Sequence, residues 1–178
     1  MSGKRRVLVV SSGRADYSFL TPVIKAIGEH KDLELKVMAT GGHHDKSIGY
    51  TRKMFDDDNI KVDYDLVCYS EDKSRDDYFF WLIDMCEMFY NSLKIVKPDL
   101  VVLLGDRVEI FGVAVACCMS CVPIVHLQGG DTSGGHDDIF RDMITRMSFI
   151  HFPATERSAM NVFNIMNGVM RRNIGGIK

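Results

Sequence analysis

Apolar residues recur along the chain in two alternating rhythms, short and nearly continuous runs and longer stretches with helical spacing. Val7 to Ser11 is a run of the first kind, broken by Ser12-Gly13, and Tyr17 to Glu29 then carries Phe19, Leu20, Val23, Ile24 and Ile27 at helical spacing. That order predicts strand, turn and helix. Leu33 to Ala39 alternates like a strand and ends in Thr40-Gly41-Gly42, where the glycines allow positive φ or a close ligand approach. Asp56-Asp57-Asp58-Asn59 marks a turn, Ile60 to Cys68 a weaker edge strand, and Ser70 to Asp77 a solvated loop. In the next segment Tyr78, Leu82, Met85, Phe89, Leu93 and Val96 share one helical face. Phe79, Phe80, Trp81, Ile83 and Met88 cover much of the rest, so this helix is either a core helix or one whose second face packs on a partner subunit.

Lys97-Pro98-Asp99 stops that helix, and Leu100 to Leu104 has the near-continuous apolar character of a central parallel strand. A helix over Val108 to Met119, a strand over Pro123 to Leu127, and a helix from about Asp137 to Met147 follow. Phe149 to Phe152 reads as a last strand and Thr155 to Met166 as a last helix. Alternating strands and helices predict right-handed βαβ units and an α/β fold, a Rossmann-like doubly wound parallel sheet. Ligands bind such sheets at the carboxyl ends of the strands, beside a topological switch point. Four loops therefore matter: Ser11 to Tyr17, Thr40 to Thr51, Gly105 to Glu109, and His126 to Asp138.

The length of 178 residues predicts one domain, 1–178. Lys and Arg number 22 against 24 Asp and Glu, a formal charge of −2, which argues against a broad electrostatic grip on nucleic acid or an anionic membrane. No apolar stretch approaches the ~20 residues needed to cross a bilayer, and no signal-like segment stands out, so the expected location is cytoplasmic. Cys68, Cys86, Cys117, Cys118 and Cys121 are odd in number, which suits a reducing compartment. Cys118 and Cys121 form a lone Cys-x-x-Cys among small apolar residues and are expected to be buried packing groups, not a redox or zinc site.

The candidate chemistry falls in the four loops. Ser11-Ser12-Gly13-Arg14-Ala15-Asp16-Tyr17 offers free backbone N–H groups at a helix start together with the planar donor fork of Arg14, suited to phosphate. The alternative for Arg14 is a plain salt bridge. The second loop holds His43 and His44; with His126, His136 or Asp137 they suggest a metal site, weighed against one histidine binding substrate and the other being solvated. Asp106 stands at a strand end, and Arg107 either holds a phosphate or pins that carboxylate. The fourth loop, His126-Leu127-Gln128-Gly129-Gly130-Asp131-Thr132-Ser133-Gly134-Gly135-His136-Asp137-Asp138, precedes Arg141 and combines four glycines with three carboxylates. Asp137 and Asp138 could be mere helix-capping charges; a site shared with Asp106 is the better reading.

Several of these strings together resemble one family. Arg14-Ala15-Asp16-Tyr17, Gly105-Asp106-Arg107 with Glu109, and His126-Leu127-Gln128-Gly129-Gly130-Asp131 come first. Asp137-Asp138 with Arg141 and Ile144-Thr145, then His151-Phe152-Pro153-Ala154-Thr155-Glu156, complete the order and spacing of the UDP-N-acetylglucosamine 2-epimerases. The likeness is to the hydrolysing branch, which serves sialic acid and nonulosonate synthesis. It implies one half of a glycosyltransferase-B-like architecture, with the carboxy-terminal UDP-binding domain of the family absent here. It also implies elimination of UDP and hydration of the glycal to N-acetylmannosamine, or the same reaction on a related UDP-2-acetamido sugar, with no metal or redox cofactor. The catalytic set it implies is Asp106, Asp131, Asp137 and Gln128. Arg14, His43, Arg107, His126, Gly129, Gly130, Ser133 and Arg141 are implied as substrate-binding.

Three departures stand out: Gln128 where some members have a glutamate, Gly13 where a threonine is usual, and Asp142 in place of a histidine. An amide at position 128 can orient a ligand but cannot act as a base. The expected partner is a UDP-sugar, with a homo-oligomer formed through the 78–96 helix. The alternatives are a non-catalytic nucleotide-sugar-binding or dimerisation module and, least favoured, a metal-dependent hydrolase using His43, His44, His126 and Asp137.

Overall fold

β1 (Arg5–Ser11) runs into α1 (Arg14–Glu29), and β2 (Leu33–Thr40), α2 (Lys53–Asp57) and β3 (Tyr64–Leu66) follow. α3 (Arg75–Val96), β4 (Leu100–Leu104), α4 (Val108–Met119), β5 (Ile124–Leu127), α5 (Asp137–Met147), β6 (Ile150–Phe152) and α6 (Glu156–Met166) complete the order. The computed structural model describes residues 3–67 and 75–168. Cys68, residues 70–74 of the expected polar loop and the tail after Gly168 lie outside the described residues.

The six strands form one sheet in the order β3-β2-β1-β4-β5-β6, every pairing parallel. The chain leaves the sheet's middle at β1, winds to one edge, and returns beside β1 as β4. The switch point therefore lies between β1 and β4, the place where helix starts diverge and leave a crevice.

Strand alternation divides the core in two. Leu8, Val10, Met38, Val101, Leu103 and Ile124 face α3 and α4, where Met85, Phe89, Ile110 and Val113 are buried. Val7, Val9, Val37, Ala39, Val102 and Val125 face α1 and α2, against Tyr17, Leu20, Ile24 and Phe55. A fully buried side chain such as Phe89 contributes roughly 1.5–3 kcal/mol. With both faces covered, β1 and β4 need no polar outer face, which is why they read as continuous apolar runs.

Three expectations need correction. α1 starts at Arg14, three residues earlier than its apolar spacing indicates, because Asp16 reaches back to accept the Ser12 N–H at 2.7 Å and the Ser12 hydroxyl at 3.1 Å. Only Tyr64–Leu66 of the edge segment pairs with β2, while the turn expected at Asp56 to Asn59 is present, with Asn59 N–H bonded to the Asp56 carbonyl at 3.1 Å, and ends a short helix, Lys53–Asp57. Of the clustered cysteines only Cys117 is buried, while Cys118 and Cys121 are exposed. The buried face of α4 ends at Cys117, and the chain then turns away: Val122 N–H bonds the Cys117 carbonyl at 3.0 Å and Cys121 N–H the Cys118 carbonyl at 3.2 Å. Cys121 occupies the left-handed position after the helix, φ 55°, that favours glycine.

Candidate functional site

The loops after β1, β4 and β5 meet over the switch point. They line a cavity of about 230 Å³ formed by Ala15, Asp16, Phe19, Leu104, Gly105, Asp106, Arg107, Gln128, Asp131 and Arg141. A second hollow of about 410 Å³ adjoins it through Asp131 and Arg141 and extends over Thr132, Ser133, Thr155, Arg157 and Asn161. A third, also about 410 Å³, adjoins through Ala15 and Arg107 and reaches Gly13, Arg14, Ser18, Gly42 and Thr51. Through these shared residues the three hollows adjoin along the carboxyl ends of the strands.

Arg141 is the hub of the middle cavity. Its guanidinium pairs with Asp106 from the β4 loop and with Asp138 at 2.5 Å, and donates to the Asp131 carbonyl at 2.9 Å. Side-chain exposures of 11% for Arg141, 20% for Asp106 and 16% for Asp138 put the cluster largely out of water, where a charge depends on its partners. Asp138 also accepts from Ser133 N–H and Gly134 N–H, at 2.9 and 2.8 Å, and so ties the glycine-rich loop to α5. Arg107 pairs with Glu109 at 2.9 Å, and Asp106 pairs with Arg141.

The loop at 128–131 is clamped on α6. The Ser158 hydroxyl donates to the Asp131 carboxylate, and Asn161 Nδ2 donates to the Gly130 carbonyl at 2.7 Å. Gly130 sits at φ 80°, and a Cβ there would lie 2.2 Å from the Ser158 carbonyl oxygen, so only glycine lets the loop close on the helix. Gln128 enters the same turn at φ 59°, its N–H bonded to the Phe152 carbonyl at 2.9 Å, and its side chain helps line the cavity.

The histidines lie behind the groove. The resemblance implied ligand contacts from His43 and His126, but both rings are fully buried. His43 bonds the Ser11 hydroxyl at 2.8 Å and the Thr51 hydroxyl at 3.0 Å. His126 Nε2 donates to the Gly105 carbonyl at 2.8 Å, so its Nδ1 accepts from the Thr145 hydroxyl at 3.1 Å. Burial lowers both rings to a pKa of about 4. They act as neutral struts that fix the β1 and β4 loop ends. Asp137 stands exposed on the first turn of α5 and lines neither the middle cavity nor the hollow beside Asp131. Among the described residues no group of three or more His, Cys, Asp or Glu is arranged to hold a metal ion, so His43, His44, His126 and Asp137 do not form the site one alternative required.

The structure thus brings Asp106, Arg107, Gln128, Asp131 and Arg141 together, with Arg14 on one flank and Gly130 and Ser133 on the other. Three members lie outside the catalytic and binding sets that the resemblance implies. Asp138 had a signal, its three-residue spacing from Arg141 on one helix. Asp16 had one too, the third position of a helix that follows a small-residue turn. Ser158 had none, since only the tertiary fold carries it to Asp131.

The family described as UDP-N-acetylglucosamine 2-epimerase matches residues 25–174. The chain is 34% identical over 162 residues to the GDP/UDP-N,N'-diacetylbacillosamine 2-epimerase (hydrolyzing) of Campylobacter jejuni, covering 86% of this chain and 40% of that protein. The crystal structure of the Neisseria meningitidis UDP-GlcNAc 2-epimerase bound to UDP-GlcNAc is similar at TM-score 0.78 and 24% identity, over 89% of this chain and 43% of that one. MurG of Acinetobacter baumannii shares the fold at TM-score 0.64 and 16% identity, over 86% of this chain and 42% of that one. The sheet is therefore one Rossmann-like half of a glycosyltransferase-B-like architecture. The chain spans less than half the length of these relatives. On the strength of the family match and the Campylobacter relative, the chain belongs to the UDP-N-acetylglucosamine 2-epimerase family.

Proposed function

We propose that this chain is the amino-terminal wall of a hydrolysing UDP-2-acetamido-sugar 2-epimerase, acting in the cytoplasm on UDP-N-acetylglucosamine or a close relative of it. The observation that carries the reading is the cluster of Asp106, Asp131 and Arg141 at the switch point, flanked by Arg14 and Arg107 beside the start of α1. Arg14, Arg107 and the helix end suit a diphosphate, and the carboxylates suit the sugar.

In the reaction a base removes the C2 proton, the C1–O bond breaks, and UDP leaves with its electron pair, forming a glycal. Water oxygen then bonds to C1 while a proton returns to C2 from the opposite face, releasing N-acetylmannosamine when the substrate is UDP-N-acetylglucosamine. The acid–base work falls to Asp106 and Asp131, which line the middle cavity, with Gln128 orienting the sugar. Arg141 holds the Asp106 carboxylate in place, and Ser158 holds that of Asp131. Gly129, Gly130 and Ser133 supply the backbone turn that brings this loop to the ligand.

A coupled assay for UDP release from UDP-N-acetylglucosamine tests this reading in the polypeptide that carries both walls of the cleft. Asp106→Asn keeps an oxygen for Arg141 and should lower turnover at least about 100-fold, within the range of general acid–base contributions. Near-normal rates with an unchanged melting curve would overturn the assignment.

A further inference from the structure

One buried polar atom in the groove lacks a partner. Asp16 is 4% exposed, and its Oδ2 accepts both bonds from Ser12 that hold the β1–α1 turn. Its Oδ1 is sealed from water and meets no hydrogen-bond donor or acceptor among the described residues. Leaving such an atom unpaired costs roughly 1–3 kcal/mol, so a folded protein that keeps one has a use for it or fills it with a ligand. The turn itself does not require it, because Oδ2 alone does that work.

The surroundings say what the ligand atom is. Asp16 lines the middle cavity beside Arg107. A Cβ built at Gly13 would stand 3.7 Å from Asp16 Oδ1 and 3.8 Å from Arg107 Nη1, so carboxyl and guanidinium border the same small space, left open by the absence of a side chain at position 13. The charges around Asp16 are Arg14 on its own helix, Arg107 and Asp106 from the β4–α4 loop, Glu109 through its pair with Arg107, and Asp131 and Arg141 across the cavity. Burial pushes the Asp16 carboxyl up, against the lowering effect of the Ser12 bonds, of its own backbone N–H and of Arg107. An anionic oxygen drawn to Arg107 would meet a carboxylate as a like charge, but a neutral carboxylic acid as a hydrogen-bond donor.

We propose that Asp16 is a ligand-contacting proton donor whose Oδ1–H bonds a phosphate oxygen of a nucleoside diphosphate held by Arg107. The proposal rests on the UDP-sugar reading above. Binding then takes up a proton from solvent onto Oδ1 and release returns it; no bond of the ligand is made or broken in this step. The alternative use of Oδ1, as an ionised acceptor for a sugar hydroxyl, needs no proton.

Isothermal titration of UDP into the polypeptide that carries both walls of the cleft, in pairs of buffers with different ionisation enthalpies, separates the two. The proposal expects wild type to take up about one proton per UDP more than Asp16→Asn. It also expects the wild-type affinity to fall about tenfold per pH unit, relative to the variant, once the free carboxyl is ionised. In the variant the amide oxygen can keep the Ser12 bonds while its N–H₂ donates to the phosphate at every pH. Equal proton uptake in wild type and variant, or UDP binding whose pH dependence the substitution leaves unchanged, overturns the assignment to Asp16. Failure of wild type to bind UDP at all overturns the nucleotide-sugar reading and this proposal with it. The pH series on wild type keeps the test decisive if Asp16→Asn melts early: affinity independent of pH overturns the proposal without any variant.

Discussion

His43 and His126 must be neutral to stay where they are, and this gives the molecule an acid limit. Both carry folded-state values of about 4 against an ordinary 6.5, lowered chiefly by burial. Burial also lowers His151, whose two ring nitrogens have no hydrogen-bond partner among the described residues. A depressed value means that the unfolded chain takes the proton first, so the stability is present above pH 6.5 and is lost as pH falls towards 4. At 1.36 kcal/mol per unit each of the first two rings accounts for roughly 3 kcal/mol across that window. Melting temperature measured from pH 7 to 4.5 should fall steeply, and His126→Gln should flatten part of the slope; an unchanged slope would remove His126 as a cause. The sequence showed these histidines in glycine-rich loops at strand ends, where a ligand contact is a reasonable expectation. It could not show that Ser11, Thr51 and Thr145 would occupy their nitrogens, because those partners come from other elements.

At the level of elements, the contact that sets the shape of the groove is the seating of the 128–131 loop on α6. Gly130→Ala places a methyl group 2.2 Å from the Ser158 carbonyl oxygen and 2.9 Å from Val162 Cγ2, at a backbone angle of φ 80° that alanine resists. The loop or the helix must move, and a loss of about 2–4 kcal/mol is expected by chemical denaturation, from overpacking and backbone strain together. Activity of the complete enzyme should fall further than stability alone explains, since the same movement takes Asp131 from Ser158. A variant as stable as wild type would show that the loop has another way to sit. The glycines at 129 and 130 were legible as a place of close backbone approach, but the thing approached was read as a ligand; for Gly130 it is a helix. The order of strands and helices was legible because β1, β4 and β5 are buried on both faces and α1, α4 and α5 sit between polar turns. Boundaries set by side-chain hooks, such as the start of α1 at Asp16, were not.

Among the described residues two groups of exposed apolar side chains stand out, and they differ in kind. At the β6 edge, Phe149, Phe152 and Phe163 are 79%, 59% and 60% exposed, whereas Arg52 and Asp65 place an ion pair at the opposite β3 edge. On α3, Trp81, Met85, Phe89 and Leu93 fill the core, while Phe79, Phe80 and Ile83 remain 60%, 62% and 46% exposed. Lys94 lies 4.1 Å over the Tyr90 ring, and Ile95 near the end of the helix is 73% exposed, so the open apolar side chains cluster at Phe79, Phe80 and Ile83 with Ile95 apart from them. The double-faced pattern in the sequence allowed either a core helix or a subunit contact; the fold buries one face and leaves the other free. We propose that the free face joins two copies, as an isologous helix-to-helix contact about a twofold axis in which Phe79 and Phe80 meet Ile83 of the partner. Light scattering after size exclusion should give a dimer for wild type and a monomer for Phe80→Glu. Its melting curve should otherwise be little changed, because Phe80 is not a core residue. A dimer that survives Phe80→Glu would rule out the α3 contact and direct attention to the β6 edge, where Phe152→Lys puts the charge that natural edge strands use against association.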